Sequence, residues 1–130
     1  MQSSSKIETL RSIMKIGIVP VYYQEDLDKS TKVFEACIAA GLTCIEMTNR
    51  GAQAHVVFSA LSSYRRSHHP NVLLGAGTVQ DPGTAALFIQ EGADFIVSPY
   101  FDLDIALVCN KRKIPYLPGC ATPTEIHTAE

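Results

Sequence analysis

The chain has no tryptophan, and no apolar run approaches the ~20 residues that a membrane-spanning helix needs. Its first residues, Met1 to Lys6, are polar and lack the apolar core of a secretory signal. An excess of one charge is missing too: 11 Lys and Arg stand against 13 Asp and Glu, which gives no reason to expect nucleic acid or an anionic membrane as partner. The cysteines, Cys37, Cys44, Cys109 and Cys120, have neither CxxC nor zinc-like spacing. They read as reduced, small apolar residues of a cytoplasmic protein rather than a disulfide framework. The histidines do not converge either. His68 and His69 stand in a polar stretch before Pro70 and read as solvent-exposed, His55 opens a helical stripe, and His127 lies near the end. No metal or cofactor is expected from this set. No GxGxxG or GxxxxGKS/T loop follows the first strand-like run, which removes the usual dinucleotide and nucleotide signatures. No low-complexity linker divides the 130 residues, which amount to a single domain.

What is present is a regular alternation of strand and helix. Ser5 and Glu8 have the spacing of a capping box, and Ile7, Leu10 and Met14 form the apolar stripe of a short helix over residues 1–15. Five β-rich runs follow: "IGIVPVYY", "TCIEMT", "NVLLGAGT", "DFIVSP" and "PYLPG". Between them lie helical patterns. Phe34, Cys37 and Ile38 share one face of the first, which ends at Gly41, and Ala54, Val57, Phe58 and Leu61 give a stripe in the second. Asp81-Pro82 opens the third, which stops near Gly92. Asp102 opens the fourth, with Ile105, Ala106, Val108 and Cys109 inward, and Thr122-Pro123-Thr124-Glu125 caps a last helix with about two turns of chain after it.

Repeated βα units predict an α/β fold with a parallel sheet, and strands buried on both faces explain the continuous apolar runs. An open doubly wound sheet and a (β/α)8 barrel both satisfy this pattern. The barrel is favoured because several strands end in a polar or special residue: Glu46 and Thr48, Thr78, and Ser98-Pro99. Residues 16–130 then supply only about the first five βα units of a (β/α)8 TIM-barrel type fold, with the last helix cut short. Pro99 and Pro118 suit strand ends, and Pro20 fits less well.

A carboxylate inside an apolar strand must be paired or employed. Alternation puts Cys44, Glu46 and Thr48 on one face and Ile45 and Met47 on the other. If Ile45 and Met47 meet the helices, Glu46 points into the barrel, with Arg50 following at its mouth. Glu46 is then either an acid/base group beside an anion clamp or half of a buried ion pair with Arg50. In "GAGT" the two glycines leave room for a ligand and Thr78 offers a hydroxyl, although such glycines also serve tight turns. Ser98-Pro99 is the weakest of these signals.

The ordered set "GIVPV", "IEMTNR", "GAGTV", "SP" and "PYLPG" resembles the family of 2-keto-3-deoxy-6-phosphogluconate aldolases, which includes 4-hydroxy-2-oxoglutarate aldolases. The resemblance implies a (β/α)8 barrel, commonly a homotrimer, that cleaves a small-molecule keto acid to pyruvate and an aldehyde through a lysine Schiff base. It implies Glu46 as the catalytic proton shuttle, Arg50 and Thr78 as holders of the substrate carboxylate, and Pro99 in the pocket wall. Where the commoner family pattern is TLRT, this chain has TNRG. The family's lysine lies on strand six, beyond these residues. Lys15, Lys111 and Lys113 precede strands, and Lys6, Lys29 and Lys32 read as helix-surface charges, so the chain alone is expected to be inactive. A self-associating, non-enzymatic piece of a barrel is the alternative, with another barrel sugar-phosphate isomerase or epimerase third.

Overall fold

The computed structural model describes residues 5–130. Its elements are α1 (Lys6–Ile16), β1 (Val21–Tyr22), α2 (Leu27–Ala39), β2 (Cys44–Thr48), α3 (Ala54–His68), β3 (Leu73–Gly77), α4 (Pro82–Gln90), β4 (Ile96–Ser98), α5 (Leu103–Arg112), β5 (Tyr116–Pro118) and α6 (Pro123–Ala129).

The helix starts are set locally. The Ser5 hydroxyl accepts from the Glu8 amide while the Glu8 carboxylate accepts from the Ser5 amide, and Thr122 with Glu125 repeats this box at α6. Asp26, Asp81 and Asp102 each accept from a first-turn amide of α2, α4 and α5. Gly17, at φ 72°, ends α1 in the left-handed conformation.

All five strands are parallel and pair in the order β1-β2-β3-β4-β5. A doubly wound sheet reverses its strand order and carries helices on both faces. Here the order never reverses, and α2, α3, α4 and α5 all pack on one face, where Phe34, Phe58, Phe88 and Ile105 meet Ile45, Met47, Leu74 and Ile96 in the main core. The other face holds a smaller cluster of Cys44, Leu73 and Phe95, covered by Ile13 and Ile16 of α1. This is an arc of a (β/α)8 barrel, five strands of it, with α1 under its floor.

Three expectations need correction. The stripe Ile7, Leu10 and Met14 is not the packed face of α1. Ile7 is 62% and Met14 81% exposed, whereas Thr9 is buried and Ile13 and Ile16 touch the floor cluster. The first strand shrinks to two residues, because Pro20 has no amide to donate; its carbonyl instead accepts from the Glu46 amide at 2.9 Å. His69 is not a free solvent-exposed residue. As the C-cap of α3 it turns back towards α2, where Glu35 Oε1 lies 2.6 Å from His69 Nε2 and accepts from the Tyr64 hydroxyl at 2.6 Å. His68 does stay exposed, stacked on Tyr64.

All four cysteines are free. Among the described residues, no helix is long and apolar enough to cross a membrane.

Candidate active site

The C-terminal ends of parallel strands converge on one rim, so residues that finish β2, β3, β4 and β5 become neighbours. Strand alternation sends Ile45 and Met47 into the helical layer and leaves Glu46, Cys44 and Thr48 on the opposite face. Glu46 is 8% exposed. Burial pushes its pKa above the ordinary glutamate value, and the charge of Arg50 opposes part of that rise.

Register decides what the carboxyl touches. Glu46 pairs with Gly75, but its side chain runs forward along the sheet to cover the next inward position, Gly77. A β-carbon at Gly77 would fall on Glu46 Oε1, and one at Gly75 would fall on the Phe95 ring. The space that "GAGT" offered to a ligand is therefore taken from within, by an acid and an aromatic ring. Only the cross-strand register could have shown this.

Thr78 follows at φ 56°, in the left-handed region that a β-branched residue seldom occupies. Strained backbone of this kind clusters at functional sites. Beside it the Gly77 carbonyl accepts from the Asn49 amide at 2.8 Å, and the Arg50 amide donates to the Thr48 carbonyl at 3.0 Å. The first bond ties the loop after β2 to the end of β3, and the second turns that loop back on the end of β2. Arg50 itself is exposed, and among the described residues no ion pair joins it to Glu46. Its guanidinium is thus open to an anion.

The departure TNRG has a structural counterpart. A β-carbon at Gly51 would fall on the Tyr23 hydroxyl, so the ring of Tyr23 fills the space a side chain at 51 would need. A glycine directly after Arg50 was the available signal, but its partner could not be named from the chain order.

The end of β4 is a structural knot. Ser98 Oγ donates to the Tyr100 carbonyl at 2.6 Å and lies 2.6 Å from the Tyr116 hydroxyl, which accepts from the Asp102 amide at 3.0 Å. Pro99 is exposed, with its carbonyl packed against Gly119, whose amide donates to the Ser98 carbonyl at 2.8 Å. The structure thus brings Glu46 and Thr78 together across Gly77, sets Arg50 on a loop bonded to the same residue, and keeps Pro99 one strand further along. The lysines stand elsewhere: Lys6 and Lys15 in α1, Lys29 and Lys32 in α2, Lys111 in α5 and Lys113 at its C-cap. Among the described residues, no group of three or more His, Cys, Asp or Glu side chains could hold a metal.

At the opposite rim sequence reasoning missed a buried pair. Asp94 Oδ2 accepts from the Leu74 amide at 2.9 Å and lies 3.3 Å from Arg65 Nη2. Arg65 also donates to the carbonyls of Val72 and Gly92. It is a structural clamp between α3 and the starts of β3 and β4.

Residues 9–130 match the family model described as KDPG and KHG aldolase. The 2-dehydro-3-deoxy-phosphogluconate aldolase of Treponema pallidum (strain Nichols) is 32% identical over 123 residues, 95% of this chain and 57% of that protein. The enzyme of the same name from Pseudomonas aeruginosa is 32% identical over 129 residues, 98% of this chain and 56% of that protein. Among solved structures, KDPG aldolase from Legionella pneumophila, with pyruvate captured as a covalent carbinolamine intermediate, superposes at TM-score 0.76 with 30% identity. That superposition covers 85% of this chain and 52% of that one. The chain spans about half the length of the curated relatives it matches. Barrel arc, inward carboxyl and family match agree, and the chain belongs to the KDPG and KHG aldolase family.

Proposed function

We propose that these 130 residues carry the acid/base and carboxylate-binding half of a class I aldolase site. The substrate class is a 2-keto-3-deoxy acid, 2-keto-3-deoxy-6-phosphogluconate or 4-hydroxy-2-oxoglutarate, cleaved to pyruvate and an aldehyde. One observation carries this reading: the buried Glu46 carboxyl lies on the face away from the helices, beside the strained Thr78 and a loop with an unpaired arginine.

The chemistry needs an amine that turns the keto carbon into an iminium, the electron sink for carbon–carbon cleavage. Water must leave the carbinolamine, which requires a proton donor. The substrate hydroxyl must then lose a proton as the bond breaks. Burial raises the pKa of the Glu46 carboxyl, which suits it to give the first proton and, once ionised, to take the second. Arg50 and Thr78 would hold the keto acid's carboxylate, and Pro99 would flank it. The carbinolamine seen in the Legionella relative supports an amine-based route. The lysines of residues 5–130 lie in α1, in α2, in α5 and at its C-cap, none of them on a strand, so in this reading the amine would come from outside this chain segment, and the 130 residues alone would not turn over substrate. Cytoplasmic location and assembly into a homo-oligomer, a trimer as in the family, belong to the same proposal.

Pyruvate tests it. Amide NMR shifts on titration with pyruvate should move at Thr48 to Gly51 and at Gly77 to Val79, and Arg50→Ala should weaken binding about tenfold or more, because hydrogen bonds to charged groups are worth about 1.5–3 kcal/mol. Borohydride with pyruvate should leave the mass of the chain unchanged. Shifts confined to other regions would refute the site, and a reduced adduct would refute the assignment of the amine.

A further inference from the structure

We propose that Gly77 is the positioning residue for Glu46: the bare face of its α-carbon is the seat of the carboxyl, and residue 77 sets where that acid stands relative to Arg50 and Thr78. The inference rests on Glu46 being the site's acid, and it assigns a role to a residue with no reactive group of its own.

Three observations meet at this position. A β-carbon on Gly77 would overlap Glu46 Oε1 and lie 2.6 Å from its Cδ, so any side chain here must displace the carboxyl. The Gly77 carbonyl accepts from the Asn49 amide at 2.8 Å, which fixes the residue next to Arg50. The turn that follows is taken by Thr78 at φ 56°, so the hydroxyl-bearing residue leaves the strand directly from Gly77. One residue therefore registers the acid, the cation-bearing loop and the hydroxyl.

Gly75 supplies the internal control. It lies on the same strand and face, and it is also buried, but a β-carbon there would strike the Phe95 ring and not Glu46. Loss of packing is common to alanine at either position, and loss of the acid's seat belongs to position 77 alone.

Burial holds the Glu46 pKa high against the pull of Arg50. Pushed off Gly77, the carboxyl must move away from β3; in this proposal it loses burial or nears the Arg50 loop, and either change favours its ionised form. The test is the titration of Glu46 followed by NMR on carbon-13-labelled carboxyls, assigned by the signal lost in Glu46→Gln. Gly77→Ala should lower the Glu46 midpoint towards the ordinary glutamate value. Gly75→Ala should lower thermal stability and leave that midpoint where it is in the wild-type chain. An unchanged midpoint in Gly77→Ala, or the same fall in Gly75→Ala, would overturn the proposal. If Gly77→Ala does not fold, the stability of Glu46→Ala/Gly77→Ala decides: removing the displaced side chain should recover most of the loss, and a double variant no more stable than the single would overturn it. Neither measurement needs substrate or turnover, so a failure of the aldolase reading would show in the pyruvate titration and leave this one intact.

Discussion

A buried carboxyl burdens the folded state whatever its task, and Glu46 makes that burden measurable. Its pKa is raised above 4.5, chiefly by burial. The folded protein therefore binds this proton more tightly than the unfolded chain does. The stability it contributes is fully present below 4.5 and is lost as pH rises through the folded value. Glu46→Gln keeps the shape without the charge. It should be more stable than the wild type at neutral pH, with the gain shrinking as pH falls through the folded value and gone below 4.5. Urea midpoints at the two pH values check this, and a variant less stable at neutrality would contradict it. The Arg65–Asp94 pair is buried as well, its side chains 9% and 8% exposed, and burial still raises the Asp94 pKa and lowers that of Arg65, but here each charge has a partner that offsets part of the cost. Asp94→Ala strands the guanidinium, and cutting one partner from such a pair costs about 3–5 kcal/mol. Replacing both residues by apolar ones should cost less than that, measured by denaturant unfolding.

Helix α4 shows how far a single cap reaches. Asp81 accepts from the amide and the hydroxyl of Thr84, bonds that hold its carboxyl below 3.8. A depressed folded pKa means stability present above 3.8 and lost as pH falls through the folded value. Asp81→Ala should therefore cost about 1 kcal/mol near neutrality, the usual worth of an N-cap. Its difference from the wild type should fade in strong acid, and a cost that persists there would assign the loss to something other than the charge. The same locality explains what the chain order disclosed. Caps such as Ser5, Asp81, Asp102 and Thr122 act within four residues, and strand alternation alone placed Glu46 opposite Ile45. The packed face of α1 was hidden, since Ile13 and Ile16 are chosen by Leu73 and Phe95, which lie far along the chain. The contents of the Gly75 and Gly77 spaces were hidden for the same reason: they depend on how β2, β3 and β4 are registered, which no local pattern states. The Glu35–Tyr64–His69 cluster likewise needs α2 and α3 side by side.

Over the whole molecule, cohesion is concentrated in the pair β2 and β3. Strands β2 and β3 pair along five residues each, from Cys44 with Leu73 to Thr48 with Gly77, and every residue in both is buried. By contrast β1 pairs over two residues, every residue of β5 is only half-buried, and α6 contains no buried residue. Exposed apolar side chains include Ile18 and Val21 at the β1 end and Leu103, Leu107 and Ile126 at the β5 end, with Val56 of α3 and Leu87 of α4 exposed between them. Opening free energies follow buried contacts and protected backbone bonds, so the arc should open in order, from its edges inward. Native-state hydrogen exchange should find the slowest amides in residues 44–48 and 73–77, with those of α6 and β1 the fastest outside the loops. Adding denaturant should bring α6 and β5 out together before β2 and β3 exchange. Uniform protection across all five strands would mean that the edges are covered in solution, by a second copy of the chain or another partner, and protection that falls with dilution would identify the second copy. The candidate site should divide the same way: Glu46 and Gly77 belong to the strand pair expected to exchange slowest and Arg50 to the loop after β2, so the amides of Glu46 and Gly77 should outlast that of Arg50 in the same experiment.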